Sequence, residues 1–200
     1  MNTVDRIRYA LALLLLIGGP GAVLFWFPVH PLAAFWRRVG ARWGYAAGIL
    51  VYVASAAVMA SYRHTLLSVD FGTSAVAIAL GIVLFAAQLW VQRLWRQAVT
   101  WRTLLGVPEL APDRHPGVLV TDGVYARVRH PRYIQIIIGC AAYACLSNYL
   151  AAYGVAVFVA IAILILILLE ERELAQRFGA EYEEYRRQVP ALIRRLHRRR

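Results

Sequence analysis

The stretch 133–169 contains 37 consecutive residues without a formally charged side chain. As one helix it would measure about 55 Å at ~1.5 Å per residue, whereas a bilayer's hydrocarbon core is about 30 Å thick. The stretch therefore cannot cross a membrane as a single straight helix. We expect it to fold back as a hairpin of two helices, with its turn at Ser147, Asn148 and Tyr149.

Three other uncharged stretches have the length of about 19 residues that fits a bilayer core: 9–27, 44–62 and 73–91. The chain is 60% hydrophobic yet carries a net charge of +11, which soluble domains do not normally combine. Together these features predict an all-α polytopic membrane protein with five transmembrane helices. The first stretch also has a signal-peptide pattern, but its apolar chain continues past Gly18 to Gly21, which favours a kinked helix.

The positive charges are unevenly distributed between the predicted loops. All 22 basic residues are arginines, and 19 of them fall on one predicted face. Only Arg6, Arg8 and Arg63 fall on the other face. The positive-inside rule then predicts an outer amino terminus, a cytoplasmic carboxyl terminus and a location in the inner or plasma membrane. A soluble basic face for nucleic acid is not indicated, so the expected partners are membrane lipids.

We expect the chain to form one integrated domain with two regions, the second of which contains most of the polar sequence. Residues 1–92 hold three spans, and residues 93–200 hold a proline- and glycine-rich loop, the hairpin and a carboxyl-terminal segment. A loop of the length of 93–132 is suited to cover a functional site. After the last span, apolar residues recur at helical spacing and predict an interfacial amphipathic helix ending before Pro190: Leu174, Phe178, Tyr182, Tyr185 and Val189.

The hairpin is expected to gather polar residues at the cytoplasmic face. Pro131 suits the first turn of a helix, whose positive dipole end would lie beside Arg129 and His130. The returning helix delivers Glu170 and Glu171 to the same face, although about 40 positions separate them from Arg129 in the sequence. Two structural explanations remain open: the arginines can be interfacial anchors, or they can simply pair with the glutamates.

The two cysteines give no indication of a metal site. Cys140 and Cys145 are five positions apart within an apolar span. Metal ligands are normally two to four residues apart and have further ligands nearby. We expect both cysteines to be small core residues, and we expect no metal.

Two motifs flank the hairpin and resemble one known family. "GVYARVRHPRY" (123–133) resembles the G-x-Y-x-x-x-R-H-P-x-Y signature of the isoprenylcysteine carboxyl methyltransferase and phospholipid methyltransferase superfamily. "EERELAQRFGAEYEEYRRQVP" (170–190) is similar to that superfamily's E-E-x-x-L-x-x-x-F-G-x-E-Y-x-x-Y pattern. The resemblance implies an integral-membrane enzyme that binds S-adenosylmethionine and has no Rossmann domain. No G-x-G-x-x-G follows a plausible strand here, in agreement with this.

The resemblance also implies roles for particular residues. Arg129, His130 and Glu171 are the expected catalytic residues. The expected cofactor contacts are Tyr125, Arg129, His130, Tyr133, Glu170 and Glu171. The acceptor is expected to be lipophilic, and a carboxylate, an amine, a thiol and an isoprenoid all remain open. Gln135 occupies a position where the superfamily commonly has glycine, which bears on acceptor specificity.

Two other functions fit parts of the pattern. Sterol and steroid reductases have a similar terminal hairpin and use NADPH, although they usually carry more spans and an asparagine-rich motif. A non-enzymatic scaffold or transport subunit would be expected to place charges or broken helices in mid-membrane. The oligomeric state is left open by the sequence.

Overall fold

The computed structural model describes residues 2–110 and 117–192. These residues form ten helices and no strand, as the all-α prediction requires. Residues 111–116, which include two prolines of the proline- and glycine-rich loop, and residues 193–200, which include the last five arginines of the chain, lie outside the described residues. The helices are α1 (Thr3–Leu24), α2 (Ala33–Val39), α3 (Ala41–Ser61), α4 (Arg63–Leu66), α5 (Ala75–Arg96), α6 (Trp101–Leu104), α7 (Val107–Leu110), α8 (Pro131–Ser147), α9 (Leu150–Phe178) and α10 (Ala180–Gln188).

The hairpin predicted from the apolar stretch is formed by α8 and α9. Its turn is at the predicted position, because Asn148 ends α8 in the left-handed conformation with φ of 59°. Asparagine tolerates this conformation better than most residues, since its short side chain can bond locally. Here the Asn148 amide nitrogen donates to Gly72 O at 2.9 Å, and its amide oxygen accepts from the Tyr153 hydroxyl at 2.9 Å.

Within the described chain, four helices are long and apolar enough to cross a membrane: α1, α3, α5 and α9. The remaining hairpin helix, α8, has 17 residues and measures about 26 Å at ~1.5 Å per residue. In α1 the predicted glycine and proline interruption does not end the helix, which continues through Pro20 to Leu24. The structure thus has the predicted apolar helices, with α8 shorter than the other four.

Helix α8 lies at the centre of the bundle. It packs against α5, α1 and α9, and α1 in turn packs against α3 and α9. The core contains Leu16, Val159 and Ile163, all at most 1% exposed. Cys140 and Cys145 are buried in α8 as free thiols, which confirms their core location. The outer faces of α3 and α5 expose large apolar side chains, as a surface facing lipid does: Ile49, Leu50, Val53, Val76, Ile82 and Val83.

At the hairpin turn, a buried arginine joins three parts of the chain. Arg8 is 3% exposed, its Nε donates to Ser147 O at 3.0 Å, and its guanidinium forms an ion pair with Asp70. Asp70 also accepts a hydrogen bond from the Gly72 backbone at 2.8 Å. Arg8 therefore lies at the predicted outer end of the bundle, but it is part of a buried clamp.

The arginine-rich segments meet at the opposite end of the bundle. Arg37 of α2 forms an ion pair with Glu173 of α9 at 2.7 Å, and Arg132 donates to Leu104 O at 3.3 Å. The carboxyl-terminal segment differs from the single amphipathic helix that the spacing predicts. Helix α9 continues to Phe178, Gly179 then has φ of 55°, and α10 is a separate helix. Glycine adopts such a φ without the strain that a Cβ would cause.

The contact between α5 and α8 gives a stability prediction. A methyl group added at Gly81 would lie 2.6 Å from Leu146 Cγ and 3.0 Å from its backbone nitrogen. Overpacking of this kind costs about 1–3 kcal/mol, so we expect Gly81→Ala to lower the melting temperature in detergent. The control is Gly154→Ala in α9, where the added methyl would meet nothing within 4 Å. Both changes gain the same helix propensity, so equal melting temperatures would contradict the close packing.

Candidate active site

The start of α8 is held against the carboxyl-terminal segment by backbone hydrogen bonds. Pro131 is the first residue of the helix, as predicted, and needs no amide partner there. The Arg129 amide donates to Pro190 O at 2.9 Å, and the His130 amide donates to Ala191 O at 3.0 Å. The residues that precede α8 are thereby fixed relative to the chain that follows α10.

The Arg129 guanidinium is almost fully engaged with protein acceptors. It forms an ion pair with Glu171, to which its Nε donates at 3.0 Å, and its Nη1 donates to Arg186 O at 3.1 Å and to Val189 O. The Arg129 and Glu171 side chains are 8% and 7% exposed. A buried ion pair is tolerated only when further hydrogen bonds satisfy both ions, and Arg129 has them.

His130 lies between the two carboxylates that the hairpin returns. Its Nε2 lies 3.2 Å from Glu171 Oε1, and its Nδ1 lies 3.7 Å from Glu170 Oε2. The Tyr133 ring lies beside it, with ring centroids 5.6 Å apart. The structure therefore brings together Arg129, His130, Tyr133, Glu170 and Glu171, the cluster expected from the hairpin.

A cavity of about 130 Å³ opens beside this cluster. Glu170 Oε2 and the Tyr182 hydroxyl belong to lining residues, and both atoms are buried without a hydrogen bond among the described residues. Buried polar atoms normally have a partner, so two orphans at one cavity indicate room for a polar ligand. The other polar or aromatic lining residues include Thr103, Tyr125, Arg129, His130, Arg132, Tyr133, Arg177, Phe178 and Tyr185.

The loop before α8 covers the cavity in its described part. Val118, Leu119 and Val120 line it, and the Tyr185 hydroxyl donates to Tyr125 O at 2.7 Å. Burial raises the pKa of Tyr125, and it raises the pKa of Tyr185 to about 12. Both phenols are therefore neutral at physiological pH. The Tyr125 hydroxyl can donate a hydrogen bond to a ligand, whereas the Tyr185 hydroxyl already donates its proton to Tyr125 O.

His30 is a neighbour of the site that the motifs do not include. It is 7% exposed, and its ring stacks on Trp26 with centroids 5.3 Å apart. Burial lowers its pKa, while the negative charge of Glu170 acts in the opposite direction. Its position in the sequence, directly after the first span and at the arginine-rich end, is the signal that could have identified it.

Gln135 does not lie in this cavity. Its amide nitrogen donates to the Gln88 amide oxygen of α5 at 2.6 Å, and both side chains line a second cavity on another face of α8. Among the residues with a described position, no group of three histidine, cysteine or acidic side chains is arranged to hold a metal ion.

Comparisons with known proteins bear on the region that contains the site. A family model described as phospholipid methyltransferase matches residues 76–181. Over 77 residues the chain is 36% identical to the protein-S-isoprenylcysteine O-methyltransferase of Schizosaccharomyces pombe, which is 38% of this chain and 33% of that relative. The chain thus aligns with about a third of the relative's length. No solved structure matches the chain. These matches confirm the superfamily resemblance that the two motifs indicate.

The Arg129 contacts give a testable prediction about the site's stability. Breaking a buried ion pair by removing one partner costs about 3–5 kcal/mol, so we expect Arg129→Ala to be strongly destabilised. Its carboxyl-terminal segment should also be cleaved earlier in limited proteolysis, because the guanidinium bonds to Arg186 O and Val189 O are lost.

Arg187→Ala is the matched control for this measurement. Arg187 is paired with Glu184 at the surface of α10, with side chains 72% and 54% exposed, and exposed pairs add little stability. We expect its melting temperature and its cleavage pattern to equal those of the wild type. Equal behaviour of Arg129→Ala and Arg187→Ala would contradict the clamping role of Arg129.

Proposed function

Because the chain belongs to the phospholipid methyltransferase family, we propose that it is an integral-membrane methyltransferase that uses S-adenosylmethionine and modifies a lipophilic acceptor. The observation that carries this proposal is the orphaned Glu170 carboxylate oxygen beside His130 and Glu171, at a cavity on the arginine-rich end of the bundle. A buried carboxylate oxygen without a hydrogen bond is costly, and a cationic or hydroxyl-bearing ligand would supply one to Glu170 Oε2.

In this proposal α8 also crosses the membrane, which gives five transmembrane helices in all, and the site faces the cytoplasm. Its length of about 26 Å is close to the ~30 Å core, and its pairing with the longer α9 supports a crossing. The positive-inside rule assigns the arginine-rich end to the cytoplasm and the Arg8 clamp to the outer face. The amino terminus is then outside, and residues 93–200 supply the polar machinery of the enzyme.

The cavity residues match the methyl donor's functional groups. Glu170 accepts a hydrogen bond from the donor's ammonium group or from its ribose hydroxyls. The rings of Tyr182 and Tyr133 also line the cavity, where they can contact the donor's sulfonium. When bound, S-adenosylmethionine supplies an electrophilic methyl group. At about 130 Å³ the cavity is smaller than the ~300–1,000 Å³ of pockets that enclose ligands of this size. A bound donor therefore needs more room than the described residues leave in this cavity.

The remaining residues position the reacting groups. Arg129 is a positioning residue, because its contacts hold Glu171 and the carboxyl-terminal segment. His130 and Glu171 form the group that takes a proton from an amine or thiol acceptor, whereas a carboxylate acceptor needs no base. The covering loop excludes water, so that the chain mainly aligns the nucleophile with the methyl group.

The acceptor is proposed to resemble an isoprenylcysteine carboxylate. The name of the S. pombe relative supports this class. The family match does not favour a reductase or a non-enzymatic membrane subunit.

Calorimetric titration of S-adenosylmethionine into the detergent-purified protein tests this function. We expect saturable binding to the wild type and no binding of NADPH. Glu170→Gln removes a charge-assisted hydrogen bond worth about 1.5–3 kcal/mol, so its affinity should fall by at least about tenfold. His130→Ala should bind more weakly as well.

Glu183→Gln is the control, because it makes the same change on the exposed face of α10, where the Glu183 side chain is 50% exposed. It should bind like the wild type. Absence of S-adenosylmethionine binding to a folded wild-type protein would overturn the proposed function.

A further inference from the structure

A second cavity separates α1 from α5, and α8 forms its floor. Its volume is about 450 Å³, which lies within the ~300–1,000 Å³ range of ligand pockets. Gln135, Gly139 and Tyr143 lie one below another on the floor at four-residue spacing. The cavity therefore extends about 12 Å along α8, at ~1.5 Å per residue. We call this cavity the amide groove.

The groove contains a partly buried pair of amides that have unused hydrogen-bonding groups. The Gln135 amide nitrogen donates to the Gln88 amide oxygen at 2.6 Å, and Gln88 is 7% exposed. Among the described contacts, neither the Gln88 nitrogen nor the Gln135 oxygen makes another hydrogen bond. If the amide oxygen and nitrogen are exchanged in both glutamines, the unused groups are still one NH₂ donor and one carbonyl acceptor.

A third glutamine, Gln92 of α5, also lines the groove, and the remaining walls are suited to a hydrocarbon chain. Leu14, Leu15, Ile136 and Cys140 line it, and Leu14 at its rim is 64% exposed, on a side of α1 that faces lipid. A ligand that fits has an apolar chain and one group that both donates and accepts a hydrogen bond. A secondary amide has this combination, whereas an ester has only acceptors.

The groove and the cavity with the glutamates meet along the first turns of α8. Arg132 and Tyr133 line the cavity, while Gln135 and Ile136 line the groove three residues further on. Three residues of helix correspond to about 4.5 Å. A chain whose amide lies at Gln135 would thus place its polar end about one helical turn away, beside the reacting groups.

We infer that the amide groove binds the methyl acceptor, and that the Gln88–Gln135 pair selects a lipid carrying a secondary amide next to its methyl-accepting end. This inference rests on the proposed function for the identity of the reaction. The pair also joins α5 to α8, as polar residues do in membrane bundles, so the test must measure selectivity as well as stability.

Cys140 is a built-in reporter of groove occupancy. It lines the groove, whereas Cys145, the other of the two cysteines in the chain, does not. In a Cys145→Ala background, the alkylation rate of Cys140 by N-ethylmaleimide is measured with increasing amounts of an N-methyl fatty amide or of the methyl ester of equal chain length. We expect the amide to protect Cys140 at a concentration at least about tenfold lower than the ester, because the ester has no N–H to donate to the groove's carbonyl acceptor and leaves that oxygen unpaired.

Methionine substitutions separate recognition from packing. Gln135→Met and Gln88→Met keep the side-chain volume and remove the hydrogen-bonding groups, so the preference for the amide should disappear. Gln97→Met is the control, because Gln97 is exposed at the end of α5 and outside the groove. Equal protection by amide and ester in the wild type, or an unchanged preference in both pair variants, would overturn the inference.

Two further measurements identify the amide's source and keep the two proposals distinct. Transfer of labelled methyl from S-adenosylmethionine is compared for an S-prenylated N-acetylcysteine and an N-acyl amino acid of matching chain length. The compound that becomes methylated identifies which kind of lipid carries the amide. Methylation of neither, together with selective protection of Cys140 by the amide, would overturn the groove's role as acceptor site. Calorimetry on the same preparations shows separately whether the methyl donor binds, so a failure of the proposed function is recognised on its own.

Discussion

Two buried arginines hold the two ends of the helical hairpin, and the rest of the structure is arranged around them. Arg8 joins α1, Asp70 and the turn at Ser147, whereas Arg129 joins the start of α8 to Glu171 and to the carbonyl groups that follow α10. A guanidinium in an apolar environment needs a carboxylate and several acceptors, because no water replaces them. Each arginine therefore specifies where three distant segments must lie.

The candidate site is a consequence of the second clamp. The pairing of Arg129 with Glu171 also positions the residues next to them in the sequence. His130 Nδ1 and Glu170 Oε2 lie 3.7 Å apart. Arg129 is occupied by Glu171 and by backbone carbonyls, and Oε2 of the adjacent Glu170 is buried without a hydrogen bond in the described part of the chain. The same ion pair thus also fixes Glu170 at the wall of the cavity.

The sequence predicts the features that depend on length and on covalent order. A 37-residue apolar stretch must fold back, Asn148 suits its turn, and the helix ends then bring the glutamates to the Arg129–His130 motif. Contacts that depend on packing between elements are not predicted. The break at Gly179, the Arg129 bonds to backbone carbonyls and the position of His30 depend on how α10 and the end of α1 meet α9. The pairing of Gln135 with Gln88 likewise requires the register of α5 on α8.

The two backbone carbonyls that accept hydrogen bonds from Arg129 are translated later than the partners of Arg8. Arg186 O and Val189 O lie 57 and 60 residues later in the chain than Arg129. At a translation rate of about 5–20 residues per second, these two carbonyls are synthesised roughly 3–12 s after Arg129. Ser147 and Asp70, the partners of Arg8, are already synthesised by then. All residues of the Arg8 clamp are therefore synthesised before the backbone acceptors of Arg129, so the turn end of the hairpin can be joined while the Arg129 guanidinium still lacks those carbonyl partners.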